Sequence, residues 1–164
     1  MAQSSSRPEY VGNVRPILKH NDPHLRQVCP PFDWDNPEHM QGLADLIETL
    51  IDSQRARGLA APQIGLLARA FAMKIEKTIY AVVNPKIINS SAISAIEEEE
   101  CMSFPNLRVK VQRPISGQVQ FHTDRDEDMI VHMVGMDFRC FCHELQHLDG
   151  ITIFSLKKEG KNVP

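Results

Sequence analysis

The sequence predicts an α+β domain in which antiparallel and mixed β-strands surround a central helix with a metal-binding motif. Three observations lead there. Short stretches of alternating apolar and polar residues recur between positions 69 and 133, separated by turn-forming residues. Neighbouring candidate strands are close in sequence, which favours antiparallel pairing over crossover connections. Two segments show helical periodicity instead, one before the strands and one after them, and the second contains two histidines four positions apart.

The elements follow in order. Residues 1–13 are polar and Ser-rich and read as a flexible tail; they contain no apolar run, so no secretory leader is expected. Pro16, Pro23, Pro30 and Pro31 make residues 14–35 extended segments and turns. Asp35 or Asn36 caps a helix with Pro37 in its first turn and Glu38 at its start. Met40, Leu43, Ile47, Leu50 and Gln54 follow at spacings of three and four, and the helix should stop before Gly58. Ala70–Ile75 and Thr78–Val83 read as strands split by Glu76-Lys77, with Asn84-Pro85 closing the second. Residues 90–95 read as a loop, as does the acidic stretch 97–105. Leu107–Gln112 and Ser116–Phe121 alternate, residues 124–128 form a polar turn, and Met129–Met133 is a further strand. After Gly135, Met136, Cys140, His143 and His147 fall on one face of the second helix. Residues 157–164 are charged and offer nothing to pack, which leaves 14–156 as a single catalytic domain.

Composition narrows the function. With 164 residues the chain has room for one domain and a real core. The 18 basic and 21 acidic side chains give a charge of −3, which argues against a coat for nucleic acid or anionic membrane. No apolar run approaches the roughly 18 residues of a membrane span. The four cysteines, Cys29, Cys101, Cys140 and Cys142, suit reduced thiols in a cytoplasmic compartment, with one available as a metal ligand.

His143-Glu144-Leu145-Gln146-His147 fits H-E-x-x-H. On a helix, positions i and i+4 project from one face about 6 Å apart, so both imidazoles can hold one ion while Glu144 reaches its water. Catalytic sites of this kind use three protein ligands. Only Asp149 and Glu159 carry donors after His147, so the third ligand should lie upstream. Cys101 is the natural candidate, with a buried structural thiol as the alternative. Cys140 and Cys142 compete from within a turn of His143, although Cys142 points off the histidine face and Cys140 is expected to pack. Gly58-Leu59-Ala60-Ala61-Pro62-Gln63 lets backbone approach a ligand closely, and Gln63 can aim its amide at an oxyanion.

These three segments, in this order, resemble peptide deformylase. The family motifs G-x-G-φ-A-A-P-Q, E-G-C-φ-S and H-E-φ-D-H, with φ apolar, read here as residues 56–63, 99–103 and 143–147. The resemblance spans residues 16–156 and implies the deformylase fold and removal of the formyl group from N-formylmethionine of nascent polypeptides. It gives Cys101, His143 and His147 as ligands of one divalent ion, Fe²⁺ in the cell and Zn²⁺, Ni²⁺ or Co²⁺ as substitutes. Hydroxide held on that ion attacks the formyl carbon and Glu144 moves the proton. The oxyanion is held by the ion, the Gln63 amide and the Met102 backbone N–H. Glu99 and Arg113 match an ion pair that braces the cysteine loop, with a weak exposed contact as the alternative reading. The peptide pairs with the backbone of Arg57, Gly58 and Glu100, Arg108 lies near its outer residues, and Met136, Cys140 and the His143 ring form the methionine pocket.

The sequence departs from the motifs at four places. Ala56 replaces a glycine and would be strained at positive φ. Glu100 replaces a second glycine, and the run Glu97–Glu100 should repel acidic peptides and favour basic ones. Gln146 replaces an aspartate and should alter the bonding behind the ligands. Arg139 stands at the pocket, where its stem either snorkels outward or reshapes the pocket. The short stretch after Gly150 lacks the C-terminal helix that helps anchor such proteins on the ribosome, as in some bacteriophage-encoded members, so ribosome contact should be transient and the location cytoplasmic, the host's cytoplasm if the protein is phage-encoded. Two other readings compete: an impaired deformylase-like protein that binds formyl peptides without turnover, and a metallopeptidase.

Overall fold

The computed structural model describes residues 9–159. Residues 1–8 of the expected tail and the end of the charged segment, 160–164, lie outside them. Within the tail, the Asn13 amide donates to Asp45 Oδ1 at 2.9 Å and Gln41 Nε2 donates to the Val11 carbonyl at 2.8 Å, so this stretch lies along the first helix.

That helix, α1, runs Pro37–Asp52. The Asn36 side chain accepts from the Glu38 amide at 2.9 Å, and Pro37 sits where its missing N–H costs nothing. Leu43, Leu46 and Leu50 form its buried stripe. A five-stranded antiparallel sheet takes up that stripe. In spatial order its strands are β1 (Gly58–Ala60), β2 (Ala70–Ile75), β3 (Thr78–Ser90), β6 (Ser116–His122) and β7 (Asp128–Val134). A separate two-stranded sheet pairs β4 (Ser94–Cys101) with β5 (Phe104–Pro114). Helix α2, Gly135–Leu148, packs on β1 and β2 and carries the histidines. Phe71, Val119, Phe121, Phe138, Phe141 and Leu148 fill the layer between sheet and helix. With Phe71 and Phe141 edge to face at 5.1 Å, α2 is held rigidly.

The structure corrects three expectations. Asn84-Pro85 does not close its strand. Asn84 adopts φ 48°, the register shifts between Val83 and Lys86, and β3 continues to Ser90, pairing with β2 in its first half and β6 in its second. Asn84 can do this because its short side chain tolerates the left-handed region and its Oδ1 accepts from the Phe32 amide at 2.8 Å. The acidic stretch read as a loop is a strand, β4, in register with β5 from Ser94↔Pro114 to Glu99↔Val109. Lys157, read as the start of an unpacked tail, lies inside a third helix, α3 (Ile153–Glu159). Its Ile153 and Leu156 are buried and its Phe154 stacks on Phe104 at 5.8 Å. Gly150 lets the chain turn back between α2 and α3. Its φ is +72°, and a Cβ there would stand 2.6 Å from the Arg26 carbonyl oxygen.

Candidate metal centre and cleft

Helix α2 presents His143 and His147 one turn apart, their ring centroids 5.1 Å from each other. Cys101 ends β4, at the tight turn into β5, and its Sγ lies 3.4 Å from His147 Nε2. One ligand atom from each of these three residues falls within 4.8 Å of the others. Cys140 lines the cleft and Cys142 is buried; neither belongs to this group.

The cluster is braced from behind. His143 Nδ1 stands 2.9 Å from Glu99 Oε1, which places its proton on Nδ1 and leaves Nε2 free to coordinate. Arg113 grips the same carboxylate through two hydrogen bonds, Nε to Oε2 at 2.6 Å and Nη2 to Oε1 at 2.8 Å. Their side chains are only 2 % and 6 % exposed, so the exposed-contact reading of this pair fails. Burial would raise the Glu99 carboxyl, but hydrogen bonds from Arg113 and His143 outweigh it and hold the group far below the usual range. Burial disfavours charge on His143, while Cys101 and Glu99 beside it favour a positive charge there, which a cation on Nε2 would supply in place of a second proton. His147 is held well down, by burial first and the His143 charge second.

Arg139 does not snorkel outward; it lines the cleft with its guanidinium turned into the protein. It is 5 % exposed, and its guanidinium donates to Glu99 Oε2 at 2.8 Å, the Val111 carbonyl at 2.9 Å and the Ala95 carbonyl at 2.8 Å. A buried carboxylate supplies the counter-charge that draws it inward. Ala56 is likewise unstrained: among the described residues the non-glycine positions with positive φ are Glu76, Asn84, Asn106 and Asp126.

Gln63 lies on the 3₁₀ turn Ala61–Ile64 and is 2 % exposed. Its Oε1 accepts from the Ala60 amide at 2.9 Å, which turns Nε2 toward Ser103 Oγ at 3.1 Å and Cys101 Sγ at 3.5 Å. Glu144 is 4 % exposed, and burial pushes its carboxyl up to about 7. Glu144 Oε2 and His147 Nδ1 are buried with no protein partner. Such orphans mark a place built for something more than protein. A thiol and two imidazoles converging beside an unpaired buried carboxyl form a donor set that fits a borderline-soft divalent cation with one position left open.

A cleft of about 840 Å³ opens onto the cluster. It is lined by all the residues assigned from sequence to peptide binding: Arg57, Gly58, Glu100, Arg108, Met136, Arg139 and Cys140, with Met102 beside them. Its two long walls end in free strand edges. Among the described residues, β1 pairs only with β2, and β4 only with β5. Gly58 is required here, since a Cβ would stand 2.8 Å from Glu144 Oε1 and 2.9 Å from Cys140 Sγ. Sequence reasoning gave no role to Ser103, although it stands in the second motif. It also missed Lys19, whose Nζ donates to the Met102 carbonyl at 2.9 Å, because nothing near Lys19 in sequence signals the cleft.

Comparison with known proteins agrees with this geometry. A family model described as polypeptide deformylase matches residues 14–162. The peptide deformylase of Natranaerobius thermophilus is 31% identical over 147 residues, covering 89% of this chain and 94% of the relative. That of Thermotoga neapolitana is 33% identical over 142 residues, covering 87% and 86%. Among solved structures, the peptide deformylase of Thermotoga maritima superimposes with a TM-score of 0.81 at 30% identity, covering 93% of this chain and 99% of that one. The actinonin-bound class I type b enzyme of Acinetobacter baumannii gives 0.77 at 26% identity, covering 86% and 96%. Sequence, fold and extent of coverage coincide, and the chain belongs to the peptide deformylase family.

Proposed function

We propose that this chain hydrolyses the N-formyl group of N-formylmethionyl peptides, releasing formate and a free α-amine. The observation that carries the reading is the convergence of Cys101, His143 and His147 on one point beside the unpartnered Glu144 carboxyl. Those three residues would hold one divalent cation, Fe²⁺ in the cell with Zn²⁺, Ni²⁺ or Co²⁺ as substitutes. When bound, such an ion lowers the pKa of its water toward about 7 and polarises a carbonyl.

The remaining work falls to side chains. Glu144, with its carboxyl near 7, accepts a proton from the attacking water and delivers it to the departing amine as the formyl C–N bond breaks. Gln63 is held with Nε2 toward the cluster, and Met102 lines the same cleft; the Gln63 amide and the Met102 backbone N–H would serve the oxygen on which negative charge develops. The peptide lies between the free edges of β1 and β4 as an added strand, paired with the backbone of Arg57, Gly58 and Glu100. Met136, Cys140 and the His143 ring take the methionine side chain.

No helix among the described residues is long and apolar enough to cross a membrane. We place the enzyme in the cytoplasm, meeting formylated chains as they leave the ribosome. The test is turnover of formyl-Met-Ala-Ser against its unformylated form, with metal content measured, for wild type and Glu144→Ala. Turnover of the formylated peptide that collapses in the variant with metal retained supports the reading. Tight binding of the formyl peptide with no turnover by a metal-loaded wild type overturns it.

A further inference from the structure

The charge of the cleft is the reverse of what the acidic run in β4 suggests. Three of the four glutamates lie within ion-pair distance of an arginine, Arg139 being shared by two of them. Glu99 is buried between Arg113 and Arg139. Glu97 Oε2 lies 3.4 Å from Arg139 Nε, and Glu100 Oε1 lies 2.7 Å from Arg108 Nε. Glu98 is the register partner of Lys110 across the hairpin, on the same face of the sheet. β4 therefore brings little net charge to the cleft.

The opposite wall is not balanced in this way. Arg55 and Arg57 line the cleft just before β1, and no carboxylate among the described residues pairs with either. Ala56 between them is buried, while Arg55 and Arg57 are exposed at the bends that lead into β1. Lys19 adds a third cation whose hydrogen bond goes to a carbonyl and not to an acid.

A peptide whose formyl end reaches the metal cluster and whose first residue pairs with Gly58, antiparallel to β1, runs past residues 57 to 55. Its second residue then lies opposite Arg57 and its third opposite Ala56, flanked by both arginines. We infer that the enzyme selects formylated peptides with an acidic side chain at the second or third position, and that Arg55 and Arg57 determine this preference. The inference rests on the deformylase reading above. Because both guanidiniums are solvated, the preference is modest, about three- to ten-fold in kcat/KM at low salt. It fades as the screening length falls from about 10 Å at 0.1 M salt to about 3 Å at 1 M.

The test is kcat/KM for formyl-Met-X-Ser and formyl-Met-Ala-X peptides with amidated C-termini, X being Asp, Ala or Lys, in low salt and in 1 M KCl. The expected order is Asp above Ala above Lys, nearly level in high salt. Arg55→Ala is expected to turn over the alanine peptides at the wild-type rate while losing part of the Asp-to-Lys ratio, and Arg55→Ala with Arg57→Ala to bring that ratio close to one. Turnover of the alanine peptides with a flat or reversed charge order in the wild type overturns the charge selection alone, as does an unchanged ratio in the double variant. Failure to turn over any formylated peptide overturns the deformylase reading, and the inference falls with it.

Discussion

Replacing Arg139 with methionine tests whether the buried charge network holds α2 against the β4–β5 sheet. The guanidinium supplies three hydrogen bonds of 2.8–2.9 Å, to Glu99 Oε2 and to the Val111 and Ala95 carbonyls. Methionine keeps much of the apolar stem and donates nothing. Glu99 is not left uncompensated, because Arg113 still grips it twice and His143 once. The loss is therefore smaller than the roughly 3–5 kcal/mol of a buried charge stripped of its partner. It lies closer to the cost of stranded acceptors, about 1–3 kcal/mol for a buried group, and the Ala95 carbonyl is shallow enough for water to serve it. A total of about 2–4 kcal/mol follows, which for a domain of this size lowers Tm by about 6–12 °C. Arg113→Met removes both grips at once and should cost more, toward the upper end of the buried-pair range. Thermal unfolding of both variants at matched metal content measures the two values. A Tm for Arg139→Met within about 2 °C of wild type, or a larger loss there than in Arg113→Met, would refute the ordering.

Three further predictions come from the site and its surroundings. Gly58→Ala drives a Cβ to 2.8 Å from Glu144 Oε1, so the carboxyl must shift and kcat should fall about 10- to 100-fold with metal content unchanged; a variant of wild-type activity contradicts the close approach. Stripping the metal with a chelator should lower Tm, since an ion present at 100 times its Kd stabilises by about 2.7 kcal/mol; Cys101→Ser should shrink that difference, and an unchanged difference would remove Cys101 from the ligand set. Cys29 is 2 % exposed and burial pushes its thiol up to about 11, so alkylation at pH 8 should be slow in the folded protein and rapid in denaturant; fast labelling of the native protein would contradict its packing.

The elements that were legible in the sequence are those whose signal is local. The capped α1 and the histidine helix announce themselves by spacing, the strand from Ala70 to Ile75 by an apolar run stopped at Glu76-Lys77, and that from Ser116 to Phe121 by alternation. β4 gave no such signal, because four consecutive glutamates carry no apolar period. Glu99 is buried only because Arg113 and Arg139, 14 and 40 positions away, meet it there. The same remoteness hid the place of Arg139, which in isolation looks like a surface cation. Asn84-Pro85 is a stop by local rules, yet the bulge at Asn84 lets the strand change partners and continue. α3 is seven residues long, and its packing against Phe104 is a tertiary contact with little helical pattern behind it.

Glu99 and Cys101 lie two residues apart on one strand, and both are buried on the side that faces α2. The ladder shifts between them, from Glu99↔Val109 to Cys101↔Phe104, and the shift leaves both side chains on this one face. A one-residue slip of β4 against β5 would turn both outward, removing the thiol from the cluster and the carboxylate from His143 in a single error. The register is otherwise weakly specified, since neighbouring side chains on β4 are chemically alike. Arg113 on β5 and Arg139 on α2 break that degeneracy. They reach the carboxylate only when Glu99, and not Glu98 or Glu100, points inward. The network thus does more than stabilise. By choosing one glutamate out of four it also chooses where Cys101 stands, and so whether a metal site exists at all.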